Sequence, residues 1–435
     1  MEPVPVTIES FGCTMNHGEA RRAAEILSSR GFKVHLGSGV QEEGLEGDLH
    51  ILFTCDVISS TERRMWRRME ELTAGGKRLM VAGCLAAISP AEILRRFPDA
   101  RILDSMGLGS LESSLTSMFE EELVSNGPDP LYFHPSVERI DTIVPISSGC
   151  AGNCSYCITR IARGGVGSYP LSEIAARISS GVMAGRKEVL LTSQDSAAYG
   201  LDMTGGDLGL LLRDITSVDL PDHRIRVGMM NPVLADERLD SILSGFDHPR
   251  VFKFFHVPVQ SGSDRVLENM NRGYSVDEYR NMLRRIRERF PKASISTDLI
   301  IGFPGEEGSD HEKSMELIEE ISPDVLNITR FSPRPGTPAN AMKDQVKGWV
   351  QKERSREATK FHQKLLPSIL KERLGHHQRC LITEVGKKGT MMARDENYTP
   401  IVIEAGNDLL GEFIDIDTSR TGPTYLMAGK DWKLS

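Results

Sequence analysis

Cys150, Cys154 and Cys157 stand at C-x₃-C-x₂-C spacing within "GCAGNCSYC" (149–157). A structural zinc takes four protein ligands, commonly from two Cys or His pairs. No second pair stands nearby, and the next cysteine is Cys380. Zinc or a chance grouping is one reading of the three thiols. The other is iron–sulfur chemistry, which tight thiolate groups also suit. A four-iron cluster on three protein thiolates leaves one iron open to a further ligand. Three more cysteines each end an apolar run: Cys13 in "IESFGC", Cys55 in "LFTC" and Cys84 in "VAGC". Taken singly, each is most simply a buried thiol. No HExxH or Ser-His-Asp pattern points to hydrolytic chemistry.

The elements around these residues give them a common place. Segments 4–10, 32–36, 49–54 and 78–83 read as strands, and 18–30, 58–72 and 90–97 as helices. Such alternation predicts a parallel sheet covered by helices. Cys13, Cys55 and Cys84 then lie together at the C-terminal edge of one sheet, where ligands bind in such folds. They form a candidate second three-thiolate site. A turn-rich stretch at 125–136 reads as a linker. Alternation restarts with strands at 142–147, 188–193, 224–229, 251–257, 294–302 and 325–331, and the clearest helices at 171–185 and 275–290. Six βα units predict a barrel or an open barrel, two units short of the eight-fold form. Cys150, Cys154 and Cys157 follow the first of these strands. A long helical pattern at 341–374 is expected to kink or break at Pro367. Beyond Gly375, short strands with glycine and asparagine turns predict a small β-barrel. Cys380 reads as a core thiol of that barrel. The expected class is α/β, in three parts: residues 1–125, 137–372 and 373–435.

The chain has 435 residues, 39% hydrophobic and 26% charged, with a net charge of −9. That charge argues against nucleic-acid binding by bulk attraction, though not against a local basic patch. No stretch approaches the roughly 20 apolar residues of a membrane span. The opening "MEPVPVTIES" lacks the basic and apolar regions of a secretory signal, so a cytoplasmic location with no membrane association is expected. Seven cysteines without such a signal favour reduced thiols, ligation or catalysis over disulfides.

The "GCAGNCSYC" loop, with an aromatic residue, Tyr156, before its third cysteine, resembles the radical S-adenosylmethionine (SAM) enzymes. The resemblance implies that SAM supplies the missing ligand through its amino and carboxylate groups. One electron then cleaves SAM to methionine and a 5′-deoxyadenosyl radical. Two three-cysteine sites in this order, opening with "FGCTMN" and ending in a TRAM-like barrel, resemble the methylthiotransferase branch across essentially the whole chain. "ITRIARGGVGSYP" (158–170) and "RFSPRPGTPA" (330–339) resemble its archaeal and eukaryotic members. The implied activity is methylthiolation of C2 of N6-threonylcarbamoyladenosine (t6A) at tRNA position 37. Implied cofactors are two 4Fe–4S clusters, on Cys13, Cys55 and Cys84 and on Cys150, Cys154 and Cys157, and SAM as both radical source and methyl donor. Implied partners are tRNA carrying t6A37 and an electron donor such as a ferredoxin or flavodoxin, with the protein a monomer. Segments matching the family's SAM site place Tyr156, Gln194, Asp195, Gln260, Ser261, Gly262 and Asp298 at cofactor-binding positions, with Gly302, Gly305 and Glu306 in the last segment. Without the family these read as ordinary strand-to-helix turns. His256 reads as a hydrogen-bonded core histidine before a ligand. The third cysteine is followed by "GCLAAIS" and the second preceded by Phe53-Thr54, where relatives commonly have Asn-Thr. Two other readings stand beside this one: a methylthiotransferase for a ribosomal-protein aspartate, and a non-catalytic iron–sulfur RNA-binding scaffold.

The candidate barrel is not basic: residues 371–435 hold nine lysines and arginines against ten acidic residues. Residues 341–373 hold nine against four, which makes Lys352, Arg354, Arg356 and Lys360 candidate RNA contacts. Arg63, Arg64, Arg67 and Arg68 after Cys55 form a second candidate group, with Arg63 and Arg64 foremost. The ordinary meaning of such runs is a solvated helix face.

Overall fold

The computed structural model describes residues 5–37, 48–55, 59–104, 110–119, 140–375, 377–387, 389–429 and 432–434. The expected linker at 125–136 lies outside the described residues.

Five parallel strands build the first sheet: β1 (Pro5–Ser10), β2 (Lys33–Gly37), β3 (Leu49–Thr54), β4 (Arg78–Gly83) and β5 (Arg101–Ile102), in the order β2-β1-β3-β4-β5. β3 lies in the centre, and all its residues are buried. Its alternating side chains serve two cores, as a strand covered on both faces must. Ile51 and Phe53 pack with Ala23 and Leu27 of the Thr14–Ser29 helix. Leu52 packs with Met65 and Met69 of the Ser59–Ala74 helix. The two-residue β5 is too short to leave a pattern in the sequence.

The six expected strands of the second part form as β6 (Asp141–Pro145), β9 (Glu188–Thr192), β10 (Arg224–Val227), β11 (Phe254–His256), β12 (Ser294–Ile301) and β13 (Val325–Arg330). They make two parallel sheets, β10-β9-β6 and β11-β12-β13, joined by a parallel bridge between Ile225 and Val251. The result is an open barrel whose helix-facing residues, including Val144, Val189, Ile225, Phe255 and Ile295, form one continuous core with the surrounding helices. Between β6 and β9 a short antiparallel pair, β7 (Ser147–Ser148) with β8 (Gly167–Ser168), pins the base of the cysteine loop.

The Thr14–Ser29 helix packs against β6, and Arg21 pairs with Asp141 at 2.7 Å. Gly18 sits so close to β6 that a Cβ there would lie 2.8 Å from Ile143 Cγ2. The first sheet is thereby held beside the cysteine loop.

The long helix runs from Gly348 to Lys371 and continues through Pro367. It starts later than its pattern suggests, because Pro338–Ala341 form a separate 3₁₀ turn. Pro367 costs one backbone hydrogen bond, but Ala358, His362, Leu366 and Leu370 bury one face on either side of it. At its far end Arg373 pairs with Asp324 at 2.5 Å.

Five strands close the terminal barrel: β14 (His377–Val385), β15 (Thr390–Arg394), β16 (Pro400–Glu404), β17 (Phe413–Thr421) and β18 (Leu426–Ala428), with β14 pairing β17. β19 (Lys433–Leu434) adds to β17. Cys380 lies in its core with Ile382, Met391, Ile401 and Ile414. The barrel docks on the N-terminal ends of the central strands. Tyr398 donates to Glu188 at 2.8 Å, and Arg379 pairs with Asp222 at 2.8 Å. It therefore sits at the end opposite the cysteine loop. Among the described residues no helix is long and apolar enough to cross a membrane.

Candidate active site between two cysteine triads

The first triad is assembled by three strand ends of one sheet. Cys13 immediately precedes the Thr14–Ser29 helix, Cys55 follows β3, and Cys84 opens the short Cys84–Ile88 helix after β4. Asn16 ties the first two loops together: its Nδ2 donates to Phe11 O and to Thr54 O, both at 2.8 Å. Thr54 Oγ1 donates to Ala82 O at 2.5 Å, joining the second loop to the third. Gly12 lies at φ +99, and a Cβ there would sit 2.4 Å from Cys55 Cβ and 2.7 Å from Cys55 Sγ. Only glycine allows that approach. Gly12→Ala is accordingly expected to displace Cys55 and, where each triad holds iron, to lose it from this triad alone. Iron per chain, measured after anaerobic reconstitution, should fall by about half if each triad holds an equal cluster.

The second triad lies in the loop after β7. Gln194 Oε1 accepts from Gly149 N at 2.8 Å, bracing the loop's entry. A Cβ on Gly152 would stand 3.4 Å from Cys150 Sγ and 3.8 Å from Cys154 Sγ, so the loop wraps around a space that glycine leaves clear. Backbone N–H of Gly152 donates to Cys150 Sγ at 3.3 Å. Buried Arg272 donates to Cys154 Sγ at 3.2 Å and to Tyr156 Oη at 3.3 Å. Burial pushes the Cys150 thiol up to about 12, with Asp195, Cys157 and Cys154 adding to the rise. Burial likewise raises Cys157. Such thiols ligate as thiolates only beside strong positive charge, which a metal supplies. Among the described residues no group of three His, Cys, Asp or Glu closes on a single metal ion. A cluster attaches each thiolate to a different iron, so donors of this kind fit a cluster better than one zinc.

Arg163 joins the two triads. It ends the Thr159–Arg163 helix, which follows directly on Cys157. Its side chain is 1% exposed, and that of Glu19 is 6% exposed. Its Nη1 pairs with Glu19 Oε1 at 2.5 Å, and its Nη2 reaches Asn16 Oδ1 at 3.0 Å. Its Nε donates to Cys84 Sγ at 3.4 Å. Burial raises the Cys84 thiol, and Arg163 opposes that rise. Neither Arg163 nor Asn16 and Glu19 stood out in the sequence, although Arg163 and Asn16 fall inside the segments "RIARGG" and "FGCTMN".

Beside the cysteine loop a cavity of about 560 Å³ is lined from both domains. Arg63 comes from the helix that follows Cys55; Tyr156 and Cys157 come from the cysteine loop; Gln260, Asp298, Arg330 and Gln351 complete the wall. Gln260 takes the left-handed conformation at φ +73, unusual for a non-glycine residue and common at functional sites. Its N–H donates to Asp298 O at 2.8 Å, and its carbonyl accepts from Ile300 N at 3.0 Å. Asp298 Oδ1 is held by His256 Nε2 and Asn327 Nδ2, both at 2.8 Å. His256 is thus hydrogen-bonded to a carboxylate of the cavity wall.

Not every expected SAM-site residue lines this cavity. Asp195 is buried behind the cysteine loop. Its Oδ1 accepts from Ala197 N and Asn231 N, its Oδ2 has no hydrogen-bond partner among the described residues, and burial pushes its carboxyl up to about 6. Gly262 faces the Gly308–Ile321 helix, where its N–H donates to Ser314 Oγ at 2.9 Å, and Ser261 Oγ accepts from Ser263 N at 3.2 Å. Glu306 accepts from Gly302 N at 3.0 Å.

The candidate RNA contacts divide sharply. Arg354 is spent on Glu306, at 2.7 Å. Arg68 is spent on buried Glu9, at 2.6 Å. Arg64 lies over the Phe11 ring at 5.6 Å. Lys352, Arg356 and Lys360 are exposed. Arg356 and Lys360 line a groove with Arg330 and Ile328, which also border the cavity, so the groove runs on from it. Burial raises the Glu306 carboxyl and Arg354 opposes the rise. Arg354→Ala should therefore cost about 1–3 kcal/mol of stability by leaving Glu306 Oε1 without its partner. Urea denaturation measures it; unchanged stability with weakened tRNA binding would reverse the assignment.

A cysteine loop at the mouth of an open parallel barrel defines the class. Residues 144–318 match the radical SAM superfamily model, residues 5–104 the uncharacterized protein family UPF0004, and residues 371–429 the TRAM domain. Membership of the radical SAM superfamily implies SAM and a 4Fe–4S cluster. Among solved structures, a radical SAM methyltransferase from Kitasatospora setae, TsrM, shares the fold at TM-score 0.54 and 14% identity, covering 77% of this chain and 75% of that one. The cobalamin-dependent radical enzyme OxsB does so at TM-score 0.51 and 12% identity, covering 83% and 56%.

A probable threonylcarbamoyladenosine tRNA methylthiotransferase of Archaeoglobus fulgidus is 37% identical over 427 residues, 97% of each chain. One from Pyrococcus abyssi is 34% identical, over 98% of this chain and 99% of its own. The human threonylcarbamoyladenosine tRNA methylthiotransferase is 28% identical, over 97% of this chain and 73% of its own. The chain belongs to the threonylcarbamoyladenosine tRNA methylthiotransferase family.

Proposed function

We propose that this protein converts t6A at tRNA position 37 to its 2-methylthio derivative, using two clusters with separate tasks. Cys150, Cys154 and Cys157 hold the cluster that binds and cleaves SAM, and Cys13, Cys55 and Cys84 hold an auxiliary cluster that presents sulfur. The observation that carries this reading is the Arg163 contact: the residue that closes the SAM-cluster loop also hydrogen-bonds Cys84. Two thiol triads share one seam, and a cavity opens beside it.

When bound, the SAM cluster supplies the electron that generates a carbon-centred radical, which a purine C2–H requires because no protein base can remove so weakly acidic a proton. The chain's own residues position and insulate. Gln194 and Arg272 fix the cysteine loop. Tyr156, Gln260 and Asp298 shape the cavity wall. Positioning of this kind supplies a large part of a catalytic effect. The long helix, with Gln351 at the cavity and Arg373 at the barrel's base, leads from the site toward the TRAM barrel. Lys352, Arg356 and Lys360 along it contact tRNA phosphates. A ferredoxin- or flavodoxin-class donor supplies electrons to a monomer.

Lys352→Ala, Arg356→Ala and Lys360→Ala together should weaken tRNA binding and flatten its salt dependence, at roughly 0.7–0.9 in slope per lost phosphate contact. Superimposable salt titrations of variant and wild type would remove this surface from the RNA path. The reaction itself is tested by incubating reconstituted protein anaerobically with SAM, reductant and t6A-containing tRNA, then digesting the RNA for nucleoside mass spectrometry. A 2-methylthio product is expected. A methylthiolated ribosomal-protein aspartate with unmodified tRNA would select the other methylthiotransferase reading.

A further inference from the structure

The cavity beside the cysteine loop carries more positive charge than its neighbours neutralise. Its charged lining residues are Arg63, Arg330, Arg334 and Asp298. Arg334 is buried and paired with Glu62 at 2.6 Å. Asp298 is held by His256 and Asn327. Arg63 and Arg330 are both exposed to the cavity and have no hydrogen-bond or ion-pair partner among the described residues. They come from different domains: Arg63 from the helix after Cys55, Arg330 from the last residue of β13. Elsewhere this chain pairs its arginines where they meet a buried surface, as with Arg68, Arg163, Arg354 and Arg373. Two unpaired guanidinium groups in one concave site mark a place for an anion.

Resting on the reaction proposed above, we infer that Arg63 and Arg330 bind the threonyl carboxylate of t6A and so select a carboxylate-bearing N6 substituent over a neutral one. The base must enter this cavity to bring C2 to the cysteine loop, and the N6 substituent hangs from C6, separated from C2 only by N1, so both lie on the same edge of the ring. A free carboxylate is the one charge that threonylcarbamoylation adds to the base. The planar fork of a guanidinium matches a carboxylate in two parallel hydrogen bonds, and low dielectric strengthens the pair. Having one arginine on each domain also makes recognition depend on the two domains being docked.

The test uses two anticodon-stem RNAs, one with t6A and one with its threonyl carboxylate converted to a primary amide. Methylthiolation kcat/KM is measured by nucleoside mass spectrometry for wild type, Arg63→Gln, Arg330→Gln and the double variant, each checked for full iron content. The SAM dissociation constant is measured alongside. Wild type should prefer the carboxylate RNA by about 10–100-fold, the range of a charged hydrogen bond. In the double variant that preference should collapse toward unity, and Arg63→Lys with Arg330→Lys should restore part of it. A preference that survives in the double variant overturns the inference. Equal losses on both RNAs, or a parallel loss of SAM affinity, would place the arginines on phosphates or on SAM and also overturn it. Wild-type inertness toward both RNAs would instead overturn the reaction on which the inference stands.

Discussion

Cys84→Ala protein is expected to cleave SAM reductively in the absence of tRNA yet form no methylthiolated nucleoside. Cys84 follows β4 of the first sheet, and the triad proposed to bind SAM belongs to the loop between β7 and β8. Removing the thiol should release the auxiliary cluster without disturbing Gln194 or Arg272, which brace the other loop. The loss of transfer should exceed the roughly 10–100-fold that loss of a supporting residue costs, because a ligand itself is gone. Cys13→Ala and Cys55→Ala should behave alike, whereas Cys154→Ala should lose both activities. The measurements are 5′-deoxyadenosine release and nucleoside mass spectrometry on the same samples. Equal loss of SAM cleavage in all four variants would make the first triad structural.

Arg163→Ala should produce the second-largest effect. It leaves Glu19 buried without its cation, a change that costs about 3–5 kcal/mol where both partners are buried. It also removes the donor to Cys84 Sγ, and hydrogen bonds to cluster sulfurs set reduction potentials. The auxiliary cluster that remains should therefore have a lower midpoint potential than in wild type. Adding Glu19→Gln should recover stability, because the stranded charge is then gone; the Glu19→Gln single variant completes the cycle that gives the coupling energy of the pair. Urea denaturation and a spectroscopic redox titration provide the two readings. Strictly additive stability losses would show that the pair does not act as a unit.

How much of this was legible in the sequence depends on the range of each interaction. All six central strands were readable, most clearly β9 and β12, where burial on both faces leaves apolar runs. The two-residue strands β5, β7 and β8 carry no such pattern, although β7 and β8 anchor the cysteine loop. The cysteine spacing pointed to one candidate site, and three strand ends to the other. Side-chain commitments were invisible. Arg354 looked like Arg356 in a basic run, but one meets Glu306 and the other borders an open groove. Arg68 resembled Arg63 in the same way until Glu9, from β1, was seen to hold it. A charge run records which residues are cationic and not which of them already have partners. Gln260 likewise lay in a quoted motif, but its left-handed backbone arises from the β12 contacts that clamp it.

The most direct test of the central claim follows the hydrogen at C2. A tRNA carrying t6A with deuterium at C2 of the base would be incubated anaerobically with reconstituted protein, SAM and reductant. Mass spectrometry of the released 5′-deoxyadenosine reads where the label goes. One deuterium in 5′-deoxyadenosine for each methylthiolated nucleoside is the expected result. Methylthiolated product with unlabelled 5′-deoxyadenosine and the deuterium lost to water would contradict removal of that hydrogen by the SAM-derived radical.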